Sequence, residues 1–342
     1  MTTRERLSVT LDGGTPDITT LSFYSWMAKD FLAPEWRELY EMGLGICHHC
    51  HTLRHIEHGV ENSVHEKKQG NDVLQTFIKA TPVGNLHYVK RNGWTIEHWI
   101  KTPEDYKIMS WIVENTEIAP CYEEYDIQDK KVGDNGVPVI LGSRTPAMSI
   151  NVDWAGTEQF CMDLALELPE LLELYEIRKD FFRRENALIA AGPGKYVKWL
   201  ENLTIDMLGP KRYQQLLLSV YDECVPVLEA SGKRVMVHYD GELKQIADLI
   251  ARAPFHIIDS LTEPPEGNLM FDECRRLWQD KVFWANINVA LYYGAEEELR
   301  QALIDKRDRA GKRAFAFEIS EKLPAHWQRV IPVILDTLNT LS

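Results

Sequence analysis

The chain is 342 residues long and 44% hydrophobic, with a formal net charge of -14. Such a length buries a large core, as one big α/β domain or two smaller ones, and the acidic balance argues against a nucleic-acid backbone or an anionic membrane surface as the main partner. No apolar run of about 18 residues occurs; the opening Met1-Thr2-Thr3-Arg4-Glu5-Arg6 lacks the apolar core of a secretion signal, so a soluble, cytoplasmic protein is expected.

Residues 23–42 carry a helical pattern with a pause at Ala33-Pro34, and Gly43-Leu44-Gly45-Ile46 reads as the end of a first strand or its approach. Residues 73–79 and 86–90 flank Thr81-Pro82-Val83-Gly84, a hairpin-like turn with the right breakers. Thr102-Pro103-Glu104-Asp105 is a strong helix start: a threonine N-cap, proline at the first helical position and acids in the first turn. Residues 1–130 are therefore expected to form an N-terminal elaboration, helical and β-hairpin in character, leading into the main fold.

Beyond residue 135, strand-like and helix-like stretches alternate. Residues 137–141 read as a strand that 147–152 extends or follows, as far as Asp153-Trp154; helices are expected at 157–168 and 169–191. A short strand at 196–200 ends at Glu201-Asn202, and a helix follows at 211–230. The β-branched run 234–237 delivers His238-Tyr239-Asp240-Gly241 and hands over to a helix at 242–252, with Leu243, Ile246, Leu249 and Ile250 on one stripe. Strands at 255–259, 282–288 and 314–320 alternate with helices at 271–279, 295–309 and 326–341. Successive strand–helix units with short connections imply a parallel sheet, and their regularity favours an α/β fold of the (β/α)8 TIM barrel type. Residues 131–342 would supply the rest of that barrel within one structural domain. Six cysteines, of which Cys161, Cys224 and Cys274 fall in expected helices, read as reduced buried thiols.

In a barrel, polar residues at strand ends converge on one mouth: Asn151 and Asp153, Glu201 and Asn202, His238 and Asp240, Asp259, Asn286 and Asn288, Glu318 and Glu321. One imidazole among several carboxylates suits a divalent metal such as zinc, manganese or iron. The same groups would equally serve to solvate a loop-covered barrel end, and spacing alone leaves both readings open. A second cluster is Cys47-His48-His49-Cys50-His51, followed by His55 and His58. Its Cys-x-x-Cys spacing fits a zinc knuckle that no second pair completes. His51, His55 and His58 recur at one face of a helix, and His48 and His49 are candidates for substrate binding or proton shuttling at the mouth; an incidental polar loop is the remaining reading. Tryptophans such as Trp94, Trp99 and Trp284 fill core, whereas Trp154 and Trp199 lie near strand ends where a flat ring or a corrin could stack. Cys121 is a lone thiol with nothing beside it that marks a nucleophile.

The segments Val237-His238-Tyr239-Asp240-Gly241, Ile258-Asp259-Ser260-Leu261-Thr262-Glu263-Pro264-Pro265-Glu266-Gly267 and Phe317-Glu318-Ile319-Ser320-Glu321-Lys322-Leu323-Pro324 resemble the uroporphyrinogen decarboxylase superfamily. Thr81-Pro82-Val83-Gly84 and Lys101-Thr102-Pro103-Glu104-Asp105-Tyr106 resemble segments of its less characterised members. The resemblance covers most of the chain after about residue 75 and implies a (β/α)8 barrel, with porphyrinogen decarboxylases and corrinoid-linked zinc methyltransferases as its branches. The decarboxylase branch carries an arginine-rich segment near its N-terminus that has no counterpart before Lys79, and an acidic chain without it is a poor host for a polycarboxylate tetrapyrrole.

Against the methyltransferase branch, His238 matches the zinc-ligating histidine, while Asp240 and Glu321 stand where that branch has cysteines and Asp259 lies where some relatives add a glutamate. The resemblance thus implies a metal on His238, Asp240, Asp259 and Glu321, harder in character than a zinc-thiolate and suited to polarising an oxygen. The expected function is metal-assisted demethylation of a small methoxylated or N-methylated substrate, with the methyl group passed to a corrinoid supplied by a partner protein. Glu201, Asn202 and Glu318 would orient the substrate, with His48, His49, Asp153, Trp154 and Asn286 in contact with it. A metal-independent decarboxylase or lyase of a small carboxylic acid, or a non-catalytic corrinoid- or tetrapyrrole-binding protein, are the alternatives. The family resemblance suggests a homodimer.

Overall fold

The computed structural model describes residues 1–203 and 205–341, with the side chains of Asp206 and Met207 left aside. Among these residues fourteen strands are formed: β1 (Leu21–Tyr24), β2 (Leu44–Cys50), β3 (Leu53–Glu57), β4 (Glu61–Gln69), β5 (Asp72–Thr81), β6 (Gly84–Arg91), β7 (Trp94–Glu97), β8 (Thr116–Pro120), β9 (Gly136–Gly142), β10 (Tyr196–Trp199), β11 (Arg234–His238), β12 (Ile257–Leu261), β13 (Val282–Asn286) and β14 (Phe315–Glu318). Eight of them close a parallel barrel in the order β1-β14-β13-β12-β11-β10-β9-β2. The fold is a (β/α)8 TIM barrel with a β-rich elaboration: β3 pairs with β8, and β4 to β7 form an antiparallel sheet, both inserted between barrel strands β2 and β9.

The strands are short and apolar because helices cover their outer faces while their inner faces meet across the barrel. Tyr24, Cys47, Val139, Tyr196, Met236, Ile257, Val282 and Trp284 form the interior, and Leu7 and Leu11 of the helix Thr3–Leu11 pack into it from below. At the start of β9 the backbone leaves no room for a side chain, since a Cβ on Gly136 would stand 2.1 Å from the Ile46 carbonyl oxygen. On the outside, the helix Pro169–Ala191 opens with proline and Glu170 and buries Leu171, Leu174, Arg178, Phe181, Glu185 and Ile189, one stripe at helical spacing. The helix Pro103–Glu114 begins with the expected threonine N-cap, which forms a capping box with Asp105 accepting from the Thr102 amide at 2.8 Å.

Three expectations are overturned. Residues 23–42 are not one helix: Leu21–Tyr24 is the first barrel strand, single 3-10 turns follow at Ser25–Met27 and Pro34–Trp36, and α-helix begins only at Arg37. The apolar residues of a four-residue strand, buried on both faces, have no period of their own and were absorbed into the helical pattern that follows. Residues 146–155 form helical turns and not a strand, because Pro146 follows Thr145 in the geometry of a helix start. His55 lies in β3, paired with Ile118 of β8, so the helical spacing of His51, His55 and His58 does not express itself. Cys47, Cys50, Cys121, Cys224 and Cys274 are buried free thiols. Among the described residues no helix is long and apolar enough to cross a membrane.

Candidate functional site at the carboxyl end of the barrel

Strand register decides which side chains enter the barrel. His238 is the register partner of Asp259, Ser22 and Asn286 are partners of Glu318, and Lys198 pairs with Leu141. Tyr24, His49, Lys198, His238, Asp259 and Glu318 all belong to the last turns of their strands, where a (β/α)8 barrel places its chemistry.

Asp259 is the hub and is fully buried. Its Oδ2 lies 2.6 Å from Lys198 Nζ and 2.6 Å from His238 Nδ1, and its Oδ1 accepts from the Tyr24 hydroxyl at 2.8 Å. Lys198 also donates to the Tyr24 oxygen at 2.6 Å. Burial alone would push the Asp259 carboxyl up, but the Lys198 charge and the His238 hydrogen bond hold it well below the usual carboxylate range. The other imidazole nitrogen, Nε2, points to Asp240 Oδ2 at 3.5 Å. Burial opposes charge on His238, yet its hydrogen bonds to Asp240 and Asp259 prevail and its pKa is raised. Asp240 is correspondingly lowered, with burial opposing and His238 dominating the opposite sense.

Two neighbours behave differently. Burial and then the Asp259 charge raise Glu318 well above its ordinary value, and neither of its carboxyl oxygens has a hydrogen-bond partner. Burial followed by the Lys198 charge brings His49 down to about 3, and its Nε2 is likewise buried and unpartnered. Its ring packs on Tyr24 at 4.8 Å. The mouth therefore holds one charged acid–base relay, Lys198–Asp259–His238–Asp240, beside a neutral carboxyl and a neutral imidazole.

The other expected site residues lie elsewhere. His48 alternates with His49 and so points outward, between Ser25 Oγ at 2.7 Å and Gln128 Oε1 at 2.9 Å. Glu201 is buried in a hydroxyl network with Thr145 at 2.8 Å and Tyr221 at 3.2 Å, where burial pushes it up to about 7. Asn202 and Asp153 both accept from Arg144, at 2.8 and 2.7 Å. Asn286 is buried at the end of β13. Glu321 is exposed in the loop after β14.

A divalent metal on His238, Asp240, Asp259 and Glu321 does not fit these side chains. The Lys198 ammonium already neutralises Asp259, and among the described residues no group of three or more His, Cys, Asp or Glu side chains is disposed to hold a metal. Sequence reasoning missed Lys198 and Tyr24. The available signal was a lone lysine in the otherwise apolar strand Tyr196-Val197-Lys198-Trp199.

Beside the relay, a cavity of about 420 Å³ lies between the ends of β9 and β10, the β3–β8 ribbon and the helices Pro103–Glu114 and Pro169–Ala191. Trp99, Trp154, Phe181, Arg144 and Arg178 line it, and Leu141, the register partner of Lys198, is on its barrel side. Neither His238 nor Asp259 lines it; Leu141, beside Lys198 in the sheet, connects the cavity to the strand that carries the relay's lysine.

No family model and no curated protein matches this chain. Among solved structures it is similar to a methyltransferase from Methanosarcina mazei, with a TM-score of 0.60 and 12% identity over 100% of this chain and 99% of that one. A weaker likeness is to a B12-independent methionine synthase from Shewanella sp. W3-18-1, with a TM-score of 0.45 and 10% identity over 85% of this chain and 76% of that one. At such identities the first likeness bears on the fold, which it matches from end to end.

Proposed function

We propose that this chain is a methyltransferase that removes a methyl group from the oxygen or nitrogen of a small substrate, with His238 protonating the heteroatom as it leaves. The observation that carries this reading is the imidazole held between Asp259 and Asp240 at the barrel mouth, its affinity for a proton raised by both. The methanosarcinal methyltransferase of the same fold supports the reaction class, and the segments around His238, Asp259 and Glu318 favour the corrinoid-linked branch of the uroporphyrinogen decarboxylase superfamily.

Alkoxide and amide anions are poor leaving groups, so cleavage of the carbon–heteroatom bond at neutral pH needs a proton delivered as the bond breaks. His238 Nε2 supplies it, the bonding pair stays on the heteroatom, and the methyl carbon goes to the nucleophile. Asp259 keeps Nδ1 protonated and stabilises the imidazolium, while Lys198 and Tyr24 fix Asp259 in place. Glu318, fully buried beside Asp259 and Tyr24 and raised well above its ordinary value, disfavours a second negative charge next to the relay. Lys198 here is the cation where a divalent metal was expected.

The acceptor in this reading is a corrinoid on a partner protein, which supplies the methyl-accepting nucleophile when bound. Trp26 supports a flat guest at the rim: its ring is 58% exposed and stacks on Tyr24 at 5.7 Å and 13°. The test is incubation with cob(I)alamin and a panel of isotope-labelled O-methyl and N-methyl compounds, read by NMR for methylcobalamin. Methylcobalamin formed by the wild type and lost in His238→Gln is expected; no transfer from any donor would sink the reading.

A further inference from the structure

The cavity beside the relay has a built anion anchor that the acid–base chemistry does not use. Arg178 is 4% exposed. It makes one side-chain hydrogen bond, from Nη1 to Glu185 at 2.9 Å, and it lines the cavity. Glu185 is spent on other partners too, accepting from Ser143 at 2.6 Å and lying 2.8 Å from His55. The Arg178 Cζ lies over the Phe181 ring, 4.9 Å from its centroid. A second guanidinium, Arg144, shares the cavity; it donates to Asp153 at 2.7 Å and to Asn202 at 2.8 Å, and its Nε has no partner. The third cation, Lys79, is paired with Glu57 at 2.6 Å.

Among the remaining lining residues Trp99 and Trp154 offer flat aromatic faces, beside the polar His51, Thr52 and Thr116. A buried guanidinium and a second, partly exposed one, set beside aromatic faces in about 420 Å³, suit a ligand with a carboxylate at one end and a planar body. We infer that this cavity is the substrate site, and that the substrate is a small aromatic or otherwise planar carboxylate, its carboxylate on Arg178 and Arg144 and its body between the rings. This deepens and rests on the reading of the chain as a demethylating enzyme. Leu141, alongside Lys198, marks the side on which the substrate's methyl-bearing end meets the barrel mouth.

Titration calorimetry tests this without turnover. 4-Methoxybenzoate is expected to bind the wild-type protein with a dissociation constant below about 1 mM, and methoxybenzene, which lacks the carboxylate, at least roughly tenfold more weakly. Arg178→Lys keeps a charge on Glu185 but loses the planar fork, and Arg144→Gln removes the second donor. Each is expected to weaken 4-methoxybenzoate by roughly tenfold or more while leaving methoxybenzene unchanged. If Arg178→Lys fails to fold by circular dichroism, Arg144→Gln carries the test. No binding of the carboxylate by the wild type, equal binding of the two probes, or an unchanged constant in the folded variants overturns the inference. Binding without methyl transfer would instead count against the catalytic reading and leave the site standing.

Discussion

Lys198 and Asp259 form an ion pair of 2.6 Å in which neither side chain is more than 1% exposed, at the centre of the barrel mouth. Such a pair gains little over a well-packed apolar pair, because both charges lose their hydration, but removing one partner strands the other. Lys198→Met is therefore expected to lower unfolding free energy by about 3–5 kcal/mol, and Lys198→Met/Asp259→Asn to recover much of that loss. Urea denaturation of the single and double variants measures it; an additive double variant would show that the pair is not coupled.

Glu318 has the opposite sign. Its folded pKa is raised above the unfolded value, so the group favours folding most below about 4.5 and disfavours it increasingly as pH rises from there toward the folded pKa. Glu318→Gln, neutral at every pH, is expected to be more stable than the wild type at pH 7 by about 1 kcal/mol or more, the difference vanishing near pH 4. Thermal melts at the two pH values check this, and a pH-independent difference would mean that Glu318 is ionised in the folded protein.

The segment Leu261-Thr262-Glu263-Pro264-Pro265-Glu266-Gly267, which carries much of the family resemblance, acts on structure at Glu263. Its carboxylate caps the Phe271 amide at 2.8 Å and pairs with Lys306 at 2.7 Å and Arg309 at 2.7 Å, tying two outer helices together. Glu263→Ala is expected to cost about 3–5 kcal/mol of stability while leaving the affinity for 4-methoxybenzoate within about twofold in protein that remains folded. A selective loss of binding without loss of stability would place Glu263 in the site.

Much of the barrel was legible because β11, β12 and β13 are β-branched, apolar runs followed by helical stripes, a pattern that only parallel strands with covered faces produce. Leu21–Tyr24 was not, since four residues cannot establish a period beside a longer helical signal. His238 and Asp259 were readable as strand-end polar residues, but the cation on the other side of Asp259 was not: a single lysine in an apolar strand looks like a surface residue until closure of the barrel turns it inward. The separation of His48 from His49 follows from strand alternation, which needs β2 to be recognised as a strand first. Arg178 and Glu185 sat in plain sight on the buried stripe of Pro169–Ala191, where two opposite charges at core positions announce a pair.

His238 also sets a pH signature. Because its folded pKa is raised, its contribution to stability is complete below the unfolded value near 6.5 and fades as pH rises through the folded value. Asp259→Asn removes a source of that shift, so the His238 titration observed by NMR is expected to move to lower pH in the variant. An unmoved titration would mean that Asp259 does not act on the imidazole.

The most direct measurement is the single-turnover rate of methyl transfer to cob(I)alamin as a function of pH, for the wild type and His238→Gln. A general acid predicts a wild-type rate that is level at low pH and falls tenfold per pH unit above the His238 pKa, and a variant that is slower by roughly 10²–10⁴-fold and lacks that limb. A His238→Gln protein with the wild-type rate, or with the same falling limb, would contradict the assignment of His238 as the proton donor.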